Sequence, residues 1–382
     1  MSVFPSPVHL ESNLKNMKRV SVACLALAAS LVLHGCGGGG AGSPPVKVIA
    51  DPGEAWVMSA PADVGMNAEL LNKAASGLPA PDKHGLASMI VLRQGKPVLE
   101  HYWNGYDKDT LHDMRSATKS ITSLMVGIAI DKGMLGSVDD PIKTYLEPGY
   151  RNAPALGHGI ALKDLLTMSS GLACNDHNPA SPGNEEKMYP KTNWIDFFVN
   201  LPVAYAPGAA TYYCTAGVVT LGRIVAESSK MSIPDFATRH LFAPLGIQNA
   251  RWATFDNGRQ HDTGGHLYLR PRDMAKIGQL VLQGGKWNGT QLVSTGWITK
   301  STSALTTMDG TSKYGYLWWQ RLFKLGDKTI TAHQARGNGG QYIFVIPELD
   351  MVVVFTGENY NSPAAQLPYD LVQQYILPSV RQ

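Results

Sequence analysis

What most restricts the fold of this chain is the placement of its strand-like segments at the two ends of the folded part, with helical segments between them. Ala87 to Arg93 and Pro97 to Trp103 are rich in β-branched and aromatic residues and flank a Gln94-Gly95-Lys96 turn, which predicts an antiparallel hairpin. Strand character returns in the last third at Tyr314 to Gln320, Lys328 to Thr331, Gln341 to Ile346 and Met351 to Thr356, with a Pro347-Glu348-Leu349-Asp350 turn before the final strand. Between these ends the apolar period changes to that of a helix. Ser116 to Leu135 carries Ile121, Leu124, Met125, Ile128 and Ile130 at helical spacing and closes near Gly133. Helices are also predicted at Leu162 to Met168, Trp194 to Leu201, Val218 to Glu227, Pro234 to Leu241 and Arg272 to Leu282, with an amphipathic one from Ala364 to Leu377 closing the chain. The expected architecture is α/β (α+β): one antiparallel sheet built from both chain ends and flanked by helices. A mostly helical lobe, about residues 136–290, is inserted in the sheet lobe, and a cleft lies between the two.

The first 50 residues read as an address rather than as fold. From Met17, a plausible start, a basic pair leads into the apolar stretch Val20 to Leu33 and then Leu33-His34-Gly35-Cys36, the three parts of a bacterial export signal over residues 1–35. The apolar stretch is shorter than the roughly 20 residues a membrane span needs. The expectation is therefore an exported, periplasm-facing protein, anchored to the membrane by lipid on Cys36, with simple secretion or an uncleaved anchor as the alternatives. Residues 36–50, with Gly37 to Gly40 and Ser43-Pro44-Pro45, are expected to form a flexible tether, and residues 51–382 a single domain. Residues 1–35 carry Lys15, Lys18 and Arg19 against Glu11, so the formal charge of +3 falls to +1 from Cys36 onward. That balance points to no nucleic-acid partner. Cys24 leaves with the signal and Cys36 takes the lipid, so an oxidising compartment leaves Cys174 and Cys214 as the expected disulfide, against two separate buried thiols.

Ser116-Ala117-Thr118-Lys119 sets a hydroxyl and an amine three residues apart at the mouth of an apolar helix, on one face. A serine hydroxyl becomes a useful nucleophile when a neighbouring base takes its proton, and a lysine desolvated under a cleft has its pKa lowered toward that role. The helix N-terminus adds free N–H groups, so the Ser116 amide is one candidate oxyanion donor. Spacing alone is weak evidence, since Ser12 to Lys15 repeats it inside the leader. Context carries the argument.

Around Met114-Arg115-Ser116-Ala117-Thr118-Lys119-Ser120-Ile121-Thr122-Ser123 the chain resembles the penicillin-recognising serine hydrolases. These comprise class C β-lactamases, family VIII carboxylesterases, D-amino-acid-releasing peptidases and 6-aminohexanoate-dimer hydrolases. Pro207-Gly208-Ala209-Ala210-Thr211-Tyr212-Tyr213-Cys214-Thr215 looks like the family's tyrosine loop, which implies Tyr213 as proton shuttle, with Tyr212 the neighbouring choice and Thr215 in the place of the substrate-binding amide residue. The family's Lys-Thr-Gly or His-Thr-Gly strand is absent. Ala335-Arg336-Gly337-Asn338-Gly339-Gly340-Gln341 stands there, similar to the glycine-rich version of 6-aminohexanoate-dimer hydrolase relatives. Glycines let backbone approach a carbonyl closely, so the second oxyanion amide is assigned to Asn338, with Gly339 as its neighbour. Arg336 either anchors a substrate carboxylate or is a solvated loop charge, and Asp176 either binds a substrate amine or caps a loop. Leu165 to Leu172, Leu269 to Gly278 and Tyr314 to Trp319 carry further resemblance, which together covers most of residues 87 to 357.

The resemblance implies an acyl-enzyme on Ser116 and hydrolysis of a small ester or amide, with no metal and no organic cofactor. Loss of the Lys/His-Thr-Gly triplet makes linear amides and esters better expectations than β-lactams. The rival is a protein that accepts an acyl group without turning it over, as a penicillin-binding sensor or a cell-wall-binding lipoprotein. No serine has glycine two before and two after it, and the histidines show no His-x-x-x-His pair, so a Gly-x-Ser-x-Gly hydrolase and a zinc hydrolase have no support. Nothing in the sequence fixes an oligomeric state.

Overall fold

The computed structural model describes residues 56–78, 84–146, 148–308, 310 and 312–381. The expected export signal and tether, with Cys36, lie outside the described residues. Eight antiparallel strands form the main sheet: β1 (Leu86–Arg93), β2 (Lys96–Tyr102), β3 (Thr306–Met308), β4 (Ser312–Tyr314), β5 (Trp319–Leu325), β6 (Lys328–Gly337), β7 (Gln341–Ile346) and β8 (Met351–Gly357). Their order is β3-β4-β5-β6-β7-β8-β1-β2. The two chain ends meet where β1 pairs with β8, from Ser88 opposite Thr356 to Arg93 opposite Met351. The hairpin and the late strands thus share one sheet.

Side chains alternate across a strand, and here each face buries its own set. Ile90, Leu92, Ile343, Val345, Val352 and Val354 point into the larger core, shared with the helices Thr118–Asp131 and Pro271–Leu282. Met89, Val91, Phe344, Ile346, Val353 and Phe355 point the other way, onto Leu71 and Ala74 of the helix Ala68–Ser76 and Tyr369, Val372 and Ile376 near the C-terminus. Both faces being covered is why β7 and β8 read as unbroken apolar runs. Among the described residues no helix is long and apolar enough to cross a membrane.

Several predicted bounds shift for local reasons. The helix expected from Ser116 begins as a tight 3-10 turn, Arg115–Ala117, and is α-helical over Thr118–Asp131, ending before Gly133 at φ +67°. Tyr314 to Gln320 is not one strand, because its middle is held by other neighbours. The Tyr316 N–H donates to Ser301 O, the Leu317 N–H to Leu166 O, and Ser120 Oγ to Leu317 O. Leu317 takes φ +61°, and the chain re-enters the sheet as β5. β6 extends to Gly337, past the predicted end at Thr331 and into the stretch expected to be a glycine loop. The closing helix is realised as three short pieces, Pro363–Gln366, Leu367–Leu371 and Val372–Ile376.

Helix Pro271–Leu282 sits on the sheet through Gly278, where an added Cβ would lie 2.5 Å from Val352 Cγ1 and 2.8 Å from Ile343 Cγ2. Gly278→Val should therefore lift the helix off the sheet and lose about 1–3 kcal/mol, the usual cost of overpacking a tight core. Urea unfolding measures it; an unchanged midpoint would mean that the helix does not pack this closely.

Candidate active site

Five segments converge on the mouth of helix Thr118–Asp131. The 3-10 turn supplies Ser116 and the first helical turn Lys119. Helix Thr215–Ser229 follows directly on Tyr213 and Cys214, and its first residue is Thr215. The short helix Glu185–Met188 supplies Glu185, the loop after His261 supplies Asp262 to Gly265, and the end of β6 supplies Arg336 and Gly337. Between them lies a cleft of about 340 Å³ whose walls include Ser116, Asp176, Glu185, Tyr213, Trp319, Arg336 and Asn338. Another cavity, about 300 Å³ beside Arg223 and Phe255, holds none of the predicted residues.

Lys119 is buried, at 1% exposure. Its Nζ donates to Ser116 Oγ at 3.2 Å, Thr215 Oγ1 at 3.0 Å and the Gly264 carbonyl at 2.6 Å, three acceptors for the three donors of an ammonium. The Tyr213 ring lies over the same nitrogen, its centroid 4.8 Å away. Burial alone pushes the lysine pKa down, but Tyr213, Glu185, Asp176 and Asp262 outweigh it and the net shift is upward. This corrects the sequence expectation that desolvation lowers the amine's pKa: Tyr213 and then the three carboxylates turn the shift upward, toward the charged form that the three acceptors also suit.

The carboxylates are fastened by backbone. Asp176 accepts the Thr215 N–H at 2.7 Å and the Glu185 N–H at 2.9 Å, and its own N–H donates to Tyr213 O, so its loop ties two of the five segments together. Burial, then the neighbouring Glu185 charge, pushes its pKa up to about 6. Of the two roles open for Asp176, the loop-fastening one accounts for both carboxylate oxygens. Thr215, at 1% exposure, faces the lysine and not the cleft: its hydroxyl accepts from Lys119 and donates to Glu185 Oε2 at 2.8 Å. It is corrected from a substrate contact to an inner support.

Two acidic residues were missed by sequence reasoning. Glu185 lines the cleft and also accepts from the Tyr189 hydroxyl at 3.1 Å. Asp262 is wholly buried; its Oδ1 accepts the Gly264 and Gly265 N–H groups at 2.9 and 2.8 Å, and burial pushes its pKa up to about 6. The Asp262-Thr263-Gly264-Gly265 turn was the available signal, because an Asp two or three residues before glycine amides commonly caps them. Glu185 lies in a polar stretch with no pattern to single it out.

Tyr213 stands in the cleft, stacked on His177 and on Trp319 at centroid distances of 5.4 and 5.8 Å, whereas Tyr212 is exposed and pairs with Tyr205. Arg336 lines the cleft part-buried, its guanidinium over the Trp319 ring at 4.4 Å, and is no solvated loop charge. Asn338 is at the cleft wall, its side chain exchanging hydrogen bonds with Asn361, while Gly339 pairs with Asn359. Gly337, not singled out from sequence, is where β6 presses on the nucleophile turn: a Cβ there would clash with the Met114 carbonyl oxygen and come within 3.1 Å of the Ala117 nitrogen. Cys174 and Cys214 form a disulfide between the segments that carry Asp176 and Thr215.

Residues 71–374 match the family model described as Beta-lactamase. The chain belongs to that family. It is a hydrolase of the serine β-lactamase and esterase superfamily. It is 24% identical over 288 residues to the 6-aminohexanoate-dimer hydrolase of Paenarthrobacter ureafaciens, which spans 70% of this chain and 71% of that protein. It is 24% identical over 254 residues to Penicillin-binding protein 4* of Bacillus subtilis, 61% of this chain and 55% of that protein. The crystal structure of a family VIII carboxylesterase superposes with a TM-score of 0.64 at 15% identity, covering 81% of this chain and 97% of that one.

The contact at Gly337 fixes the gap between strand and turn, so Gly337→Ala should separate them. Displacements of about 1 Å at a reacting centre cost on the order of 100-fold in rate. A loss of that size in kcat/KM toward a chromogenic ester is expected; a rate equal to wild type would show that the contact does not set the site.

Proposed function

We propose that the chain hydrolyses small esters or amides through an acyl-enzyme on Ser116. The observation that carries this is the Lys119 Nζ to Ser116 Oγ hydrogen bond inside a walled cleft. Ser116 Oγ attacks the substrate carbonyl, Lys119 and Tyr213 move the protons, and the amides of Ser116 and Asn338 hold the oxyanion. Water then releases the acyl group. The serine proton must leave as the C–O bond forms, and the leaving group must gain one as the tetrahedral intermediate collapses.

The substrate class follows from the relatives and from the strand that faces the serine. The P. ureafaciens protein is named for an aminohexanoate dimer and the structural neighbour for carboxylic esters. Arg336-Gly337-Asn338 in place of a Lys-Thr-Gly or His-Thr-Gly triplet favours linear amides and esters, such as ω-amino-acid oligomers, short acyl esters and D-amino-acid amides, over β-lactams. We also infer that the first 35 residues export the chain and that Cys36 carries the lipid that anchors it to the membrane facing the periplasm; Cys36→Ser should release the protein from the membrane fraction, and continued anchoring would refute the lipid.

For the reaction, Ser116→Ala should abolish turnover of p-nitrophenyl butyrate, with at least about a 1,000-fold loss in kcat, and remove the acyl adduct seen by mass spectrometry in wild type. Turnover retained in that variant would exclude the mechanism. Turnover of many equivalents also separates hydrolysis from a single acylation burst.

A further inference from the structure

Three acceptors surround Lys119 Nζ, the arrangement that suits an ammonium, and an ammonium cannot take the Ser116 proton until it has released one of its own. Two of its three donors point at acceptors on other segments, the Gly264 carbonyl and Thr215 Oγ1. The carbonyl cannot pass a proton on. Thr215 can, because its hydroxyl accepts from Lys119 at 3.0 Å and donates to Glu185 Oε2 at 2.8 Å, a continuous path of hydrogen bonds from the ammonium to a carboxylate. The third donor lies on the Ser116 axis at 3.2 Å.

We propose that Thr215 and Glu185 form a proton relay that discharges Lys119 before acylation, with Glu185 a positioning residue that acts through the threonine hydroxyl. This rests on the acyl-enzyme reading and adds the step that reading lacks. Lys119 gives an Nζ proton to Thr215 Oγ1 while Thr215 gives its hydroxyl proton to Glu185 Oε2. Ammonium and carboxylate become amine and carboxylic acid, with no net charge change. The amine is left with N–H donors toward Ser116 and Gly264 and its lone pair toward Thr215; a one-third turn about Cε–Nζ, with the Thr215 hydroxyl turning off that axis, brings the lone pair to Ser116. It then takes the Oγ proton as Oγ bonds to the carbonyl carbon and the carbonyl π pair moves to the oxyanion.

The placement suits the task. Glu185 lines the cleft, where its proton exchanges with solvent or with the substrate side, whereas Thr215 and Lys119 are closed off at 1% exposure each. Asp176 pins both ends of the relay by accepting the backbone N–H of Thr215 and of Glu185, so the two side chains are held at hydrogen-bonding distance by one carboxylate. The titratable and charged groups facing the relay are Lys119, Asp176, Asp262, Tyr189 and Tyr213, with His177 stacked on Tyr213 and His266 against Tyr189. Among the described residues, the hydrogen-bonded side-chain route from the lysine to a carboxylate runs through Thr215.

The test compares Glu185→Gln, which keeps size and an acceptor for Thr215 but cannot take a proton, with Thr215→Val and Thr215→Ser. On p-nitrophenyl butyrate, Glu185→Gln and Thr215→Val should each lower kcat by about 100-fold or more with KM changed less than about threefold, and Thr215→Ser should recover most of the loss. Between pH 6.5 and 8.5 the wild-type kcat should be nearly flat, while that of Glu185→Gln should climb about tenfold per pH unit, because its lysine then loses a proton only to solvent. Wild-type kcat and pH profile in Glu185→Gln would overturn the relay; where that variant does not fold, full activity in Thr215→Val would overturn it. A wild type that forms no adduct on Ser116 refutes the acyl-enzyme itself, whereas an adduct with indifferent Glu185 and Thr215 variants refutes the relay alone.

Discussion

Burying one lysine ammonium organises this site. A charge removed from water costs several kcal/mol unless it is paired and its hydrogen bonds are filled, so every segment that touches Lys119 is obliged to bring an acceptor or a negative charge. The nucleophile turn brings Ser116 Oγ, helix Thr215–Ser229 brings a hydroxyl, and the loop after His261 brings the Gly264 carbonyl. Tyr213, then Glu185, Asp176 and Asp262, raise the lysine's pKa against its burial. Backbone N–H groups in turn bond both carboxylate oxygens of Asp176 and one, Oδ1, of Asp262. The cost of the cation is thus passed from side chain to carboxylate to backbone, and the backbone geometry of the whole cleft follows from it.

That geometry needs a frame that does not yield, and the sheet provides it. β6 lies among central strands, with β5 and β7 on either side, and it ends at Gly337 against the Met114–Ala117 backbone. A side chain on Gly337 would push strand and turn apart, so glycine here sets a distance as well as permitting a bend. The Cys174–Cys214 disulfide acts on the opposite wall, joining the loop that presents Asp176 to the residue that precedes Thr215. The strand side is fixed by the ladder and the tyrosine side by a covalent bond.

Sequence patterns gave up the parts of this arrangement that are local. Ser116 and Lys119 are one helical turn apart, and helical periodicity puts them on one face; the Cβ alternation of β1, β7 and β8 is plain in their apolar runs. What stayed hidden is produced by distant segments meeting. Thr215 looked like a substrate contact because it stands in the place of the family's substrate-binding amide residue, yet the helix that starts at Thr215 turns its hydroxyl inward. Glu185 has no local mark at all, since its importance arises from Asp176 holding its N–H nine residues away. The charge of Lys119 was misjudged for the same reason: desolvation is visible in a buried helix, but the three opposing carboxylates come from elsewhere in the chain. The strand break at Gly315–Trp318 likewise depends on Ser301, Leu166 and Ser120, none of them sequence neighbours.

The cleft's charges are also divided by side. Asp176 and Glu185 stand on the wall built by the short helix and the tyrosine loop, while Arg336 stands on the sheet wall. Arg336 lies over Trp319, and a guanidinium stacked on a ring keeps its N–H donors in its own plane, directed away from the ring face. Those donors can still serve a carbonyl or a carboxylate. On the other wall the carboxylate oxygens of Asp176 are taken by backbone, and Glu185 Oε2 is taken by Thr215 and Tyr189. The acidic wall therefore has less to offer a substrate than its formal charge suggests, and in the proposed reaction selectivity for the group beyond the scissile bond would fall mainly to Arg336, Trp319 and Asn338. In the proposed reaction a substrate would be held on the sheet side and its protons handled on the helix side, so that recognition and acid–base chemistry would draw on different residues.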